Sequence, residues 1–444
     1  MVHDVQRVVT PWFRTLHRLG MVCVVATALA ACDRTRNATF LPSQGEGPLF
    51  HRQEVANRAR AQADTIKANL KSGLAILSQS KQGQADPTLN ILTLSGGGQW
   101  GAYGSGFLAG WAESGQRPSF DIVTGVSTGS LIATFAFLGS PADDAALKKG
   151  YLGIDDSDVY QPRYEMLIPF VINFSNSLTR TQRLRSLIES IATPEVVARV
   201  AQEHDKGRRL YVGAVNMDMG RFETFDLTEI ARNGGTQAYT RYIDCLMASA
   251  AIPVFFEPIY IDGFQYVDGG VMRNVFMENM FSEDENILCD DQYCWYNKAI
   301  NTYVLLNGSV EARGEFIKDR FISIGIRSLE LLQDERMIGN VFRISEMVSS
   351  NKHVSVNLRI HSIPITIESD FKLDKPYNET KHALKSSEHA FDTEYMSLLY
   401  HAALARGKTA AKPLGKGGPW FDKVEDWEQS ILAPGDPAMR SKKK

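Results

Sequence analysis

"LTLSGGGQWGAYGSGF", residues 92–107, places six glycines in sixteen positions after a short apolar run. The run LNILTL at residues 89–94 lies between Pro87 and the glycines, which predicts a buried strand. Each glycine adds to the entropy that the backbone loses on ordering. The glycines therefore indicate either a very tight turn or a ligand that approaches bare backbone N–H groups.

The segments on either side of this stretch predict an α/β fold. FDIVTG at residues 120–125 predicts a second strand, and GFLAGWAES between the two strands predicts a helix. Such β-α-β units join parallel strands by a right-handed crossover. Further strand candidates lie at residues 209–217, 302–308 and 354–363, with helical stretches between them. This alternation predicts a three-layer sandwich with a mostly parallel central sheet.

The N-terminus has the pattern of an export signal. Three arginines precede a largely apolar run at residues 19–31, which is too short to span a bilayer as a mature helix. The run ends in Leu-Ala-Ala-Cys, which resembles the lipobox of bacterial lipoproteins. That resemblance implies a signal peptide at residues 1–31, a lipid on Cys32 and a mature protein anchored to a membrane of the bacterial cell envelope, facing the periplasm. A plain N-terminal membrane anchor with an incidental cysteine is the alternative.

Charge and cysteine content exclude several kinds of partner. Lys and Arg total 48 against 51 Asp and Glu, so no basic surface for a nucleic acid is expected. Cys289 and Cys294 are close enough in sequence to close a small loop, and an exported protein can form disulfides. No pair of C-x-x-C motifs is present, so no zinc site is predicted. No other metal and no cofactor is expected.

The segment GVSTGS, residues 125–130, fits the pattern G-x-S-x-G at a predicted strand-to-helix junction. The pattern is typical of a nucleophile elbow, a strained turn that exposes a serine hydroxyl and needs small neighbours such as Gly125 and Gly129. Ser127 is therefore the candidate nucleophile. The N-terminus of the following helix favours negative charge that develops beside it.

The glycine triplet at residues 96–98 suits an oxyanion hole. Acyl transfer generates a negatively charged oxygen, and backbone N–H groups of Gly96, Gly97 and Gly98 could stabilise it. A dinucleotide-binding turn at residues 104–109 is a weaker alternative, because no acidic residue closes a second strand about twenty residues on. A purely structural tight turn is the other alternative.

A third motif, YVDGGVMRN at residues 266–274, places Asp268 before two glycines. Alone, Asp-Gly-Gly indicates only a turn. In this order, however, Gly-Gly-Gly-x-x-Gly, Gly-x-Ser-x-Gly and Asp-Gly-Gly resemble the motifs of the patatin-like phospholipases. The supporting positions of this resemblance are Gly101, Gly125, Gly129, Gly269, Gly270 and Asn274.

The resemblance implies a lipid acyl hydrolase with a Ser-Asp dyad. Ser127 would attack the ester of a membrane lipid or other fatty acyl ester, and Asp268 would act as the base. A carboxylate near its reference pKa of about 3.9 is a weak base, so a partly desolvated dyad is expected. Two positions depart from the family pattern: Trp100 replaces a frequent basic residue, and Phe276 replaces a frequent proline.

Several alternatives remain open from the sequence. An α/β-hydrolase with a Ser-Asp-His triad is permitted by the downstream histidines His353, His361, His382, His389 and His401. A non-catalytic lipid-binding or scaffold lipoprotein with the same fold is another, and an acyltransferase a third. Aromatic residues at 253–264 could pack in the core or line an acyl-chain channel.

The resemblance covers residues 88–310, the predicted catalytic domain. A tether at residues 32–50 and an amphipathic helix at residues 51–83 precede it. A largely helical extension at residues 311–432 follows, and we expect it to pack on the sheet. The alternative is that it acts as a membrane-facing lid. Residues 433–444 predict a disordered tail.

Overall fold

The protein is represented by a computed structural model. The structure describes residues 48–84, 86–162, 176–277, 287–289, 293–295, 298–309, 317, 319, 321–350, 355–364, 391–412 and 418–432. All of them belong to one unit of the fold. The predicted signal peptide, Cys32, most of the tether and the C-terminal tail lie outside the described residues.

Helices and strands alternate along the chain. The helices are α1 (Pro48–Ser80), α2 (Gly101–Glu113), α3 (Thr128–Leu138), α4 (Pro141–Leu152), α5 (Asp156–Val159), α6 (Gln182–Ile191), α7 (Pro194–Asp205), α8 (Leu227–Arg232), α9 (Gly235–Ala250), α10 (Phe321–Ser350), α11 (Thr393–Gly407) and α12 (Val424–Leu432). The strands are β1 (Thr88–Leu94), β2 (Ile122–Val126), β3 (Gln161–Pro162), β4 (Thr179–Arg180), β5 (Arg209–Asn216), β6 (Arg221–Asp226), β7 (Ile259–Ile261), β8 (Phe264–Asp268), β9 (Ala299–Ser309) and β10 (Val356–Ile363).

The eight-stranded sheet has the order β10-β9-β1-β2-β5-β8-β7, with β6 also paired to β5. The pairs from β10 to β5 are parallel, whereas β6, β7 and β8 pair antiparallel. The predicted mostly parallel central sheet is therefore confirmed. The C-terminal region contributes β10 to one edge of the sheet, so it adds a strand as well as helices.

The sheet separates two apolar layers, because successive strand residues point to opposite faces. Leu92 and Leu94 of β1 lie in one core, and Leu89 and Ile91 lie in the other. Helices α2, α3, α9 and α11 contribute to the first core, and α1, α10 and α12 contribute to the second. The predicted three-layer sandwich is confirmed by this division.

Helix α1 packs on the second face of the sheet. Its buried side chains Ile66, Leu70, Leu74 and Leu77 recur every three or four residues, as an amphipathic helix requires. The indole Nε1–H of Trp295 donates to the Leu74 carbonyl (3.2 Å). Cys289 and Cys294 form a disulfide close to Trp295 in the chain. Among the described helices, none has the length and apolar character needed to cross a membrane.

The glycine-rich stretch is helical from Gly101 onward, earlier than the sequence predicts. The reason is tertiary packing of α2 against α11. A Cβ on Gly106 would collide with the Tyr400 carbonyl, and a Cβ on Gly407 would collide with the Phe107 carbonyl. The two helices therefore cross with their backbones in contact, and glycine at these positions is what permits the approach.

Candidate active site

Ser127 lies between the end of β2 and the start of α3, in a strained backbone conformation. Its φ of 54° and ψ of −129° are outside the regions that a serine normally occupies. The Ser127 N–H donates to Ser249 Oγ (3.0 Å), whose own hydroxyl donates to the Gly213 carbonyl (2.7 Å). The elbow is thus tied to α9 and β5 by one buried serine.

One edge of β5 brings Asp268 to the end of β2. Strand β6 occupies the other edge of β5 along residues 211–216, so β2 and β8 must share the remaining edge. Along that edge Val126 pairs with Gly213, and Asp268 pairs with the next residue, Ala214. Because Gly213 and Ala214 are consecutive in β5, the end of β2 that leads into Ser127 lies next to Asp268.

The Asp268 carboxyl is almost completely buried, with 1% of the residue exposed. Burial raises its pKa to about 6, although hydrogen bonding to the Ser127 side chain and to the Gly270 N–H lowers it. The Gly270 N–H donates to Oδ1 (2.7 Å). Within the described chain Oδ2 has no partner of full hydrogen-bond geometry, so the Ser127 hydroxyl is a close neighbour of the carboxyl rather than a tightly bonded one. Such pairs commonly tighten when substrate binds.

The triplet at residues 96–98 forms a sharp turn between β1 and α2. A Cβ on Gly97 would collide with the Asn307 carbonyl, whereas the Cβ position of Gly98 is open and lines the pocket beside Ser127. The Gly96 N–H donates to the Asn274 carbonyl (3.0 Å). Gly97 and Gly98 precede the first hydrogen bond of the turn, so their N–H groups have no partner in the described chain.

Asn274 joins this turn to α10. Its side-chain oxygen occupies the place next to Gly96 that a Cβ would need. The Asn274 N–H donates to Asn340 Oδ1 (2.9 Å), and Asn274 Nδ2 donates to the Gln333 carbonyl (3.3 Å). The sequence motif pointed to Asn274, but its partners on α10 carry no local signal.

The supporting glycines are all sites of close approach. A Cβ on Gly101 would collide with Thr128 and Tyr151, and a Cβ on Gly125 would collide with the backbone of Gly129 and Ser130. At Gly129 it would collide with the Leu94 and Ser95 carbonyls, and at Gly269 with the Gly213 carbonyl. At Gly270 it would press against Asp268 and Gln333. The three motifs are therefore packed directly against one another.

The two departures from the family pattern have defined places. Trp100 is half-buried and packs against the first core. Phe276 is buried, and its carbonyl accepts hydrogen bonds from Thr93 Oγ1 (2.8 Å) and Thr124 Oγ1 (2.6 Å). Both threonines lie on the strands that lead to the site, so Phe276 ties the segment after Asn274 to β1 and β2.

An apolar pocket opens beside Ser127, with about 660 Å³ of empty space that includes solvent at its mouth. No charged side chain lines it among the described residues. From residues 253–264 only Phe256 contributes to the lining, and the other buried aromatic side chains there pack in the core. The lining residues are Gly98, Ser127, Thr128, Leu131, Leu147, Gly150, Tyr151, Ile154, Val159, Leu184, Leu187, Ile188, Ile191, Ala250, Ile252, Phe256 and Phe391.

Neither of the two described downstream histidines lines this pocket. His361 is buried, with one ring nitrogen 2.8 Å from the Tyr103 hydroxyl and the other 2.8 Å from the Pro419 carbonyl. Burial lowers its pKa to about 3, so the ring is neutral. His401 Nδ1 lies 2.8 Å from the Ser397 carbonyl on the exposed face of α11. His353, His382 and His389 lie outside the described residues.

Sequence reasoning missed several residues that shape the site. Ser249 supports the elbow, and Asn307 holds the start of the glycine turn by donating from its N–H to Ser95 Oγ (2.8 Å) and from Nδ2 to the Ser95 carbonyl (2.7 Å). Tyr151 bonds Thr128 Oγ1, directly after Ser127. Among these residues, Ser249 lies in the run of small residues "ASAA" at 248–251, which is a local signal in the sequence.

A strained serine at a strand-to-helix junction, beside a buried carboxyl and a glycine turn, has the geometry of a nucleophile elbow. Residues 92–280 match the family model described as patatin-like phospholipase. This segment is therefore similar to the patatin-like phospholipase domain of a family of lipid hydrolases, and the resemblance of the three motifs is confirmed.

VipD from Legionella pneumophila, a solved structure, is 13% identical, with a TM-score of 0.32 over 71% of this chain and 67% of that one. No curated protein matches the sequence.

Proposed function

We propose that the protein is a lipid acyl hydrolase in which Ser127 is the nucleophile and Asp268 the general base. The observation that carries the proposal is the shared edge of β5, where Val126 and Asp268 pair with consecutive residues. A nucleophile and its base must lie within hydrogen-bond reach of each other, and this register supports that separation.

In the first half of the reaction, the Ser127 hydroxyl attacks the ester carbonyl while Asp268 accepts its proton. The tetrahedral oxyanion collapses, the leaving alcohol takes the proton from Asp268, and an acyl-serine remains. In the second half, Asp268 accepts a proton from water, the water oxygen attacks the acyl carbonyl, and the carboxylic acid leaves as Ser127 regains its proton. A pKa of about 6 makes Asp268 a stronger base than an exposed aspartate.

In this proposal the oxyanion accepts hydrogen bonds from the backbone N–H groups of Gly97 and Gly98. Both are unpartnered in the described chain, and Gly98 faces the pocket. Two such donors commonly contribute a few kcal/mol of transition-state stabilisation. The Gly96 N–H is already used by Asn274, so the role of Gly96 is to let Asn274 and Ser127 approach each other.

The substrate is a fatty acyl ester such as a membrane lipid. An apolar pocket without a charged lining suits an acyl chain and leaves a polar head group outside. We propose in addition that lipid on Cys32 anchors the protein in the bacterial cell envelope, which would keep the site near its substrate. Cys32→Ser should then abolish incorporation of labelled palmitate and move the protein from the membrane to the soluble fraction.

The decisive experiment is labelling of the purified protein by a fluorophosphonate probe, with hydrolysis of p-nitrophenyl esters followed in parallel. Wild-type protein should be labelled and active, Ser127→Ala should lose both properties, and Asp268→Asn should lose most of the turnover. Ser130→Ala is the matched control, because Ser130 is a buried serine of the same turn whose hydroxyl donates to the Ser127 carbonyl. Hydrolysis that persists in Ser127→Ala would refute the proposal, and a folded wild type without labelling would favour a lipid-binding or scaffold role.

A further inference from the structure

The pocket beside Ser127 receives part of its wall from the C-terminal region, beyond the residues that match the family model. Phe391 lines the pocket together with Val159 and Phe256. Its ring centroid lies 5.7 Å from that of Tyr160, which stacks on Phe256 at 5.3 Å. The aromatic side of the pocket is thus built from three separate parts of the chain.

Three hydrogen bonds hold the backbone at Phe391 against the catalytic domain. They run from the Phe391 N–H to Asp156 Oδ1 (2.7 Å), from the Asp392 N–H to Gln99 Oε1 (3.2 Å), and from Thr393 Oγ1 to the Ile154 carbonyl (2.9 Å). Gln99 belongs to the same turn as Gly98, so the segment is tied to the turn beside Ser127. The backbone that carries the Phe391 ring is therefore fixed relative to the turn beside Ser127.

Helix α11, which follows directly, fixes the same segment from the other side. Its N-terminus is capped by Asp392 Oδ1, which accepts from the Tyr395 N–H (3.0 Å). At the glycine crossing its backbone packs directly against that of α2. A rigid side chain at the wall of an apolar pocket limits which acyl chains fit. Methylene groups that the pocket cannot hold stay exposed to water and contribute no binding free energy.

We propose that Phe391 is a specificity-determining residue that limits the length of the acyl chain accepted beside Ser127. The inference rests on the proposed lipid hydrolase function and adds that substrate selection is made by the C-terminal region. Removing the ring opens the wall toward α5 and α11, so longer chains gain contacts. A larger ring has the opposite effect.

The test compares kcat/KM for p-nitrophenyl octanoate and p-nitrophenyl palmitate in four variants. Phe391→Ala should raise the ratio of palmitate to octanoate ester about tenfold, and Phe391→Trp should lower it. Phe391→Met, which keeps the volume better, should give an intermediate ratio and protects the test if the alanine variant folds poorly. Phe421→Ala is the matched control, a half-buried phenylalanine of the same region that does not line the pocket, and its ratio should stay at the wild-type value.

A binding measurement separates failure of this inference from failure of the proposed function. In the Ser127→Ala background, displacement of a fluorescent fatty acid by octanoate and by palmitate measures the affinity for each. The ratio of the palmitate affinity to the octanoate affinity reports chain-length preference without any turnover. A rise of the palmitate-to-octanoate binding ratio in Phe391→Ala supports the inference even if Ser127 proves not to be the nucleophile. An unchanged ratio, or a ratio that falls in Phe391→Ala, overturns it.

Discussion

The backbone of Ser127 stores strain that its surroundings must hold. A non-glycine residue in such a conformation costs of the order of 1–3 kcal/mol. Buried hydrogen bonds beside Ser127 offset this strain. Ser249 Oγ accepts a hydrogen bond from the Ser127 N–H, and the Ser249 hydroxyl donates to the Gly213 carbonyl. The pattern G-x-S-x-G predicts the elbow because its small residues are adjacent in sequence, whereas Ser249 lies far along the chain and could be found only from the fold.

The pKa of Asp268 sets the expected pH dependence of hydrolysis. The base must be ionised, and burial raises its pKa to about 6. The value of kcat/KM should therefore fall below pH 6, tenfold for each further pH unit, and level off above pH 7. A pH–rate profile of p-nitrophenyl ester hydrolysis measures this directly.

A second carboxyl could give a similar profile. Burial also raises the pKa of Asp334 on α10 to about 6, and the side chain of its neighbour Gln333 lies beside Gly270, 3.2 Å from the place that a Cβ would occupy. Asp334→Asn is therefore the control, and it should leave the inflection in place. An inflection that disappears in Asp334→Asn would contradict the assignment of the base to Asp268.

The same raised pKa predicts a cost in stability. The folded protein retains the Asp268 proton up to about pH 6, whereas an unfolded aspartate releases it near pH 3.8. The free energy of unfolding therefore falls as the pH rises between these values, by about 3 kcal/mol in total. Asp268→Asn should be more stable than wild type by about this amount at pH 8 and nearly equal to it at pH 3.5. Urea unfolding at both pH values checks the prediction, and an equal difference at both would contradict it.

Helix α10 supports the glycine turn through Asn274. The chain of contacts runs from Asn340 Oδ1 to the Asn274 N–H, and from the Asn274 carbonyl to the Gly96 N–H. In the proposed mechanism these residues do not touch the substrate, and they act by fixing the turn that contains Gly97 and Gly98. The sequence predicts α10 as a helix, and α10 spans residues 321–350, but nothing in its apolar period distinguishes Asn340 from an exposed asparagine.

Asn340→Ala should lower kcat by about 10-fold to 100-fold with little change in KM, since a small displacement of oxyanion donors is costly in the transition state. Initial rates over a range of ester concentrations give the two constants. Arg336→Ala, an exposed change on the same helix, should leave both unchanged. A rise in KM at constant kcat would indicate that Asn340 supports binding instead.

The two apolar cores make α1 a structural part of the domain. Leu74 is completely buried against the second face of the sheet. Leu74→Ala should cost about 2–5 kcal/mol of unfolding free energy, because it removes buried methyl groups and leaves a cavity. Guanidinium unfolding measures the loss, with the exposed Ser72→Ala as control. A loss below about 0.5 kcal/mol, as for a surface change, would mean that α1 does not belong to the core.

The layered arrangement follows from patterns that the sequence displays openly. Apolar runs of strand length, glycines at their ends and helical periods between them predict the sandwich. The pocket could not be predicted in this way. Its wall combines Leu147, Ile188, Phe256 and Phe391, which belong to separate segments and carry no shared period. Their meeting depends on how α4, α6 and the C-terminal region pack over the sheet, a long-range property of the folded chain.

The shared edge of β5 has a consequence for protein engineering. Val126, the residue before Ser127, and Asp268 pair with consecutive residues of β5, so the separation of Ser127 and Asp268 does not depend on the length of the connections that join them along the chain. Changes in the length of exposed loops between β2 and β8 should therefore leave the distance between Ser127 and Asp268 unchanged. A single-residue insertion inside β5, between Gly213 and Ala214, would instead shift β8 relative to β2 and disable the enzyme while leaving every catalytic side chain present.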